Sequence, residues 1–170
     1  MILEIIAISI IGTLLHFAYD FSNHNKIVAL FAAVNESTWE HIKLSLGATF
    51  IVSIVDAVYL GSNPNYFLAK SISLLILIIL IPIIFYGYTY FTKKPILIVD
   101  ILSFYVAIIC SQLLFYYILD LEKLNFVSTY IGTIGTFVIF GFYMVLTLLP
   151  IKNFLFKDPI TKKYGIKAHK

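Results

Sequence analysis

Nine consecutive residues, Asn35-Glu36-Ser37-Thr38-Trp39-Glu40-His41-Ile42-Lys43, hold two carboxylates, an imidazole, an ammonium, an amide and the chain's single tryptophan. Upstream, His16 and Asp20 are four apart and so share one face of any helix that contains them. Glu36 and Glu40 repeat that spacing, and His24 extends the first row. Asp56 and Asp100 stand alone in apolar surroundings. Two histidines with several carboxylates make a mixed nitrogen and oxygen donor set, the kind that takes a divalent metal such as zinc; here it would be His16, Asp20, Glu36, Glu40 and His41. The same groups suit proton transfer, because imidazole titrates near neutral pH. They also suit general acid–base work on a bound lipid or small substrate, with Glu36 and His41 as the acid–base residues and a carboxylate raised by burial. No HExxH or HxxxH pair, Ser-His-Asp spacing, P-loop or dinucleotide fingerprint is present.

Part of the string has a plainer reading. Ser37-Thr38-Trp39-Glu40 matches the S-x-x-E capping box, in which the serine hydroxyl takes the amide of the glutamate and the glutamate reaches back. Trp39 would anchor at a membrane interface and Lys43 would snorkel to it. That account covers Ser37, Trp39, Glu40 and Lys43, and leaves Glu36, His41 and the His16/Asp20 pair open.

The elements that must position these residues follow from composition. Of 170 residues, 61 % are hydrophobic and 12 % charged, and the mean hydropathy is +0.96. Soluble domains carry about a quarter charged residues, so a bilayer must cover this surface. Apolar runs near the length needed to cross a membrane predict an all-α, polytopic integral membrane protein with five transmembrane helices, at about 2–19, 37–60, 66–90, 96–119 and 126–149. The apolar stretch 27–34 is too short to span and reads as a re-entrant or interfacial segment, or a short buried turn of helix. Residues 1–150 form one transmembrane domain, and 151–170 a basic tail with Lys152, Lys157, Lys162, Lys163, Lys167 and Lys170. Gly61-Ser62-Asn63-Pro64-Asn65 and Pro95 break the runs, and Pro82 predicts a kink in the third span. Gly132, Gly135 and Gly141 predict close helix approach in the fifth. Tyr86, Tyr88 and Tyr90 suit an interfacial belt. The first run has Glu4 and no basic segment before it, so it reads as a retained helix. The lone Cys110 excludes an intramolecular disulfide and a multi-cysteine metal site. Twelve lysines with no arginine and abundant isoleucine suggest a prokaryotic source.

Cytoplasmic segments carry the excess of lysine. The tail therefore lies in the cytoplasm, and with five spans the amino terminus lies outside. Lys26, Lys43, Lys93 and Lys94 then also fall inside, and the two outer loops hold only Lys123. Short loops make successive helices antiparallel neighbours, so His16, Asp20, Glu36, Glu40, His41 and Asp100 are expected to face one cytosol-side cavity. Asp56 would sit deeper, toward the outer leaflet. Ionisable residues within spans are functional candidates by default. For Asp56 an interfacial position or a bond to a neighbouring Ser or Thr is the alternative; for Asp100, a surface pair with Lys93 or Lys94.

His16-Phe17-Ala18-Tyr19-Asp20, followed by Val34 to Lys43, resembles a family of small bacterial multi-pass membrane proteins of unknown function that carry an Asn-Glu-Ser-x-Trp-Glu-His-x-Lys string. The resemblance covers mainly the first third of the chain. It implies a membrane location and a shared role for those residues, and no activity. The Glu-Glu-x-x-x-Arg motif of prenyl-protease-like intramembrane enzymes is absent.

Three functions remain open. The leading one is binding and transport of a small polar or cationic solute at the plasma membrane, coupled to protonation. Its binding set is His16, Asp20, Asn35, Glu36, Trp39, Glu40, His41, Lys43, Asp56 and Asp100, in a chain small enough for a homodimer. The second is an intramembrane hydrolase or transferase acting on a lipid or small substrate through Glu36 and His41, with or without a divalent metal. The third is a structural subunit of a membrane complex. Membrane lipids are expected partners. Nucleic acid is not, because the lysines lie at membrane margins and form no basic face with interleaved aromatics.

Overall fold

The computed structural model describes residues 1–168. Its five long helices are α1 (Ile2–Phe21), α2 (Thr38–Leu60), α3 (Tyr66–Thr92), α4 (Leu97–Leu119) and α5 (Phe126–Leu148). Each is long and apolar enough to cross a membrane, and no strand forms among the described residues. The architecture is all-α and consistent with a multi-pass integral membrane protein.

Local chemistry sets the helix ends. Ser37 and Asn125 cap α2 and α5 by accepting the amides of Glu40 and Ser128. α3 runs unbroken through Pro82 and stops at Lys93, which adopts a left-handed φ of 57° before Pro95. Residues 27–34 form a compact turn with one 3-10 segment (Val28–Leu30), and Ala29, Ala32 and Val34 are buried in it. This is the short buried alternative expected for that stretch.

Two faces of the bundle can be told apart. One carries Met1 and the loops 61–65 and 120–125. The other carries residues 22–37, 93–96 and 149–168. On the first, Asn65 binds the neighbouring loop: its Nδ2 donates to the carbonyls of Ile118, Leu121 and Glu122, and its Oδ1 accepts the amide of Leu124. α3 packs mainly on α4 and α5, while α2 packs on α1 and α3. Half of the most apolar window of α2 is buried, against 17 % for α1, so α2 is the interior helix and α1 the peripheral one.

Of the three glycines expected at close contacts, two serve that purpose. A Cβ at Gly132 would collide with the backbone of Leu68 and Phe67, and one at Gly135 with the Ser71 hydroxyl. Gly141 faces open space, so it brings no helix nearer. Because backbone cannot rotate away as a side chain can, Gly132→Ala should part α3 from α5 and lower stability by about 1–3 kcal/mol. Gly141→Ala should be neutral. Unfolding of the two variants in mixed detergent checks the contrast.

The basic segment after α5 is not a free tail. Residues 151–168 are closed on themselves by an isolated bridge between Lys157 and Tyr164 and a short turn at Gly165–Ala168, and they fold back onto the start of α2, where the Trp39 amide donates to the carbonyl of Leu155. Lys170 of the expected tail lies outside the described residues.

Candidate functional site

The nine-residue string is mostly consumed in holding the fold. Asn35 accepts the Ser37 amide at 2.8 Å and donates to the carbonyl of Gly165 at 3.1 Å. The Glu36 amide donates to Asp158, and the Trp39 amide to the carbonyl of Leu155. The Trp39 indole is buried and stacks on Phe156 with ring centroids 4.6 Å apart, so it packs inward instead of anchoring at an interface. Glu40 does not complete the expected capping box. Asn35 already holds the Ser37 amide, and Glu40 instead accepts the amide of Val34 at 2.9 Å and pairs with Lys43 at 2.5 Å. Lys43 is fully buried and donates to the carbonyl of Ala29, so it does not snorkel. Glu40 and Lys43 together tie the 27–34 turn to α2.

Asp158, in the returning segment, completes this clasp. It is 2 % exposed and accepts the Glu36 amide and both the amide and hydroxyl of Thr161. Burial alone would raise its pKa. The hydroxyl and amide of Thr161, with the amides of Glu36 and Ile160, outweigh that and hold it below the ordinary aspartate value of 3.8. A carboxylate depressed in the folded state contributes stability above its unfolded pKa and loses it as pH falls through the folded one. Trp39 fluorescence should therefore stay constant down to about the ordinary aspartate range and shift only in stronger acid, as the clasp opens. Asp158→Asn should show the opened spectrum at neutral pH.

The expected cytosol-side cavity does not assemble as one site. His16 and His41 do meet, with rings 6.0 Å apart, and His41 Nε2 lies 3.9 Å from Glu36. His41 Nδ1 is 3.0 Å from the carbonyl of Ser37. Glu40, however, belongs to the buried pair with Lys43. Asp20 lies 3.6 Å from His24 on an exposed turn. Asp100 accepts the hydroxyl of Tyr88 at 2.6 Å, and among the described residues it makes no ion pair with Lys93 or Lys94. Among the described residues no three His, Cys, Asp or Glu side chains stand close enough to hold a metal, so the five-residue donor set does not converge. The helices that carry these groups face them in different directions, and spacing within one helix cannot reveal that.

The more concentrated charge lies at the other face. Asp56 is 5 % exposed; its Oδ2 accepts the Lys70 ammonium at 2.6 Å and its Oδ1 the Tyr66 hydroxyl at 2.5 Å. Lys70 Nζ also lies 3.9 Å above the Phe115 ring. Beside this pair the Tyr116 hydroxyl donates to Glu4 Oε1 at 2.5 Å, while Glu4 Oε2 is buried without a partner among the described residues. A cleft of about 260 Å³ joins the two carboxylates, and Val52, Tyr59, Leu60 and Tyr116 line it with them. Two carboxylates thus face one ammonium where water is scarce. The cleft brings together one carboxylate more than it has ammonium groups among the described side chains.

Sequence reasoning found Asp56 here and missed Glu4, Tyr66, Lys70 and Tyr116. A signal for Lys70 was present. Asp56 is seven residues before Asn63 and Lys70 seven after it. A helical hairpin turning at 61–65 must bring them to one depth.

A family described as a family of unknown function (DUF6512) matches residues 1–166, well beyond the third of the chain that carries the string. No curated protein and no solved structure matches.

Proposed function

The chain belongs to this family of unknown function, so its activity is read from its own residues, and we propose that it binds a small organic cation in competition with a proton and carries it across the membrane. Glu4 and Asp56 are the ion-binding carboxylates, Lys70 fixes Asp56, and Tyr66 and Tyr116 orient the two. The observation that carries this reading is the imbalance of two carboxylates against one ammonium at a single cleft, with one Glu4 oxygen unbonded. In this reading a cation and a proton compete for the Glu4–Asp56 pair of carboxylates. Tyr59 and Tyr116 and the apolar wall suit an alkylammonium ion, whose charge an aromatic face attracts. In this reading the cleft opens to the outer side and the 151–168 segment lies in the cytoplasm, which the placement of the lysines supports. Five spans are few for a carrier, and the lipid-facing α1 offers a surface for a homodimer.

Under this reading the Asn35–Lys43 string serves as scaffold, and the site moves from the cytosolic face to the opposite one. Tetramethylammonium should raise the Tm of purified protein in lipid nanodiscs, with apparent affinity falling as pH drops and the proton competes. At a concentration 100 times Kd the stabilisation would be about 2.7 kcal/mol. Glu4→Gln should weaken the effect at least tenfold and flatten its pH dependence. An unchanged Tm in wild type at any pH, or wild-type binding by Glu4→Gln, would refute the assignment.

A further inference from the structure

α2 carries a pattern that the cleft does not use. His41, Ser45, Thr49 and Ser53 are four apart, and Asp56 is three further on. At about 100° per residue these positions fall on one face of the helix, and at 1.5 Å per residue the row runs for about 22 Å. Ser45, Thr49, Ser53 and Asp56 are 0, 1, 9 and 5 % exposed. The row starts in the cleft, at Asp56, with Lys70 and Tyr66 from α3, Glu4 from α1 and Tyr116 from α4 around it. It ends at the opposite face in the partly exposed His41, beside His16 of α1 and Glu36 of the preceding turn.

Small hydroxyl residues in a membrane helix often do no more than bond their own backbone. Ser53 and Ser45 do this, donating to the carbonyls of Thr49 and Ile42. Two other groups do not fit that explanation. Thr49 Oγ1 is buried with no partner among the described residues. Gln112 of α4 is 1 % exposed, and neither its amide nitrogen nor its amide oxygen is bonded among the described residues. Gln112 lies seven residues from the end of α4, and Ser53 seven from the end of α2 at the same face, so the two share a depth. Buried polar atoms in this condition are normally met by ordered water, because leaving them unbonded costs about 1–3 kcal/mol each.

We propose that this row is a water-bridged proton path through the bundle, from Asp56 past Ser53, Gln112, Thr49 and Ser45 to His41. It rests on the reading of the Glu4–Asp56 cleft as a protonatable site, and supplies the route by which the displaced proton crosses. In each step an oxygen of a hydroxyl or a water accepts a proton from one side and releases its own to the other. A carboxylic acid at the cleft loses its proton, His41 gains one, and water is the only co-reactant. Ser45 and Ser53 take part through their oxygens, with their hydroxyls turning from the helix carbonyls. Gln112 and Thr49 hold the bridging waters.

The test uses the full chain in liposomes loaded with a pH-sensitive dye. A potassium gradient and valinomycin drive protons inward, with tetramethylammonium in the outer buffer. Wild type should acidify the lumen faster than protein-free liposomes. Thr49→Val and Gln112→Leu, close in shape to the residues they replace, should each cut the flux at least tenfold. Both should keep the wild-type Tm and the tetramethylammonium-induced Tm shift. Those last two readouts separate a lost path from a lost fold or a lost cleft. Wild-type flux equal to that of empty liposomes, or both variants conducting as wild type, would overturn the path. Flux that persists without any tetramethylammonium effect would instead retain the path and remove the cation from the cleft.

Discussion

Lys70→Met should lower stability by about 3–5 kcal/mol, because it leaves Asp56 buried and charged with only the Tyr66 hydroxyl to meet it. The loss comes less from the missing attraction than from the stranded carboxylate. Asp56→Asn in the same chain should therefore restore most of it: the neutral amide oxygen would still accept from Tyr66, and no charge would remain. The double variant, folded and still carrying Glu4 at the cleft, should keep a pH-dependent response to tetramethylammonium, at weaker affinity for want of the Asp56 carboxylate. Thermal unfolding of the two single and the double variants in one lipid composition measures the coupling. If Lys70→Met matched wild type in stability, Asp56 would have to be neutral in the folded protein, and the charge imbalance at the cleft would disappear with it.

The second large effect belongs to the other buried pair. Lys43→Met deprives Glu40 of its ammonium and Ala29 of its donor in one step. The expected loss is again about 3–5 kcal/mol. Lys43→Arg should not rescue it, since a planar guanidinium does not fit a space shaped for a single ammonium point between a carboxylate and a carbonyl. Glu36→Gln and His41→Ala, in the same string but partly exposed, should change stability by no more than about 0.5 kcal/mol. Limited proteolysis would localise the damage: Lys43→Met should expose the 27–34 turn and leave the far side of the bundle protected. A string in which Glu36 and Lys43 proved equally costly would not be the scaffold described above.

The helix boundaries were legible because they depend on local composition. The expected third span, 66–90, is Tyr66–Thr92, and the second, 37–60, is Thr38–Leu60 with Ser37 as its cap. Apolar runs of this length, punctuated by Gly-Ser-Asn-Pro-Asn or Lys-Lys-Pro, admit few other readings. The site was harder to read because rotation about a helix axis is set by partners far along the chain. Glu40 looked like an equal of Glu36 four residues earlier, yet one is sealed against Lys43 and the other meets His41 at the surface. Asp100 looked available to two lysines and met Tyr88. Glu4 was informative only as the lack of a basic leader, because its partner Tyr116 is 112 residues away. In the closing segment the lysines drew attention to charge, while Leu155, Phe156 and Asp158, which dock it, are few and flanked by basic residues.

That docking has a bearing on how the protein is made. The start of α2 is finished by groups 122 and 130 positions later in the chain, Asp158 and the carbonyl of Gly165. While the polypeptide is being threaded into the bilayer, α2 must wait, its first turn incompletely bonded, until everything through α5 has been synthesised. A ribosome paused before residue 155 would hold an unfinished bundle, and bulky fusions placed soon after Gly165 would obstruct the final closure. Closure of the start of α2 therefore comes late in the synthesis of the chain.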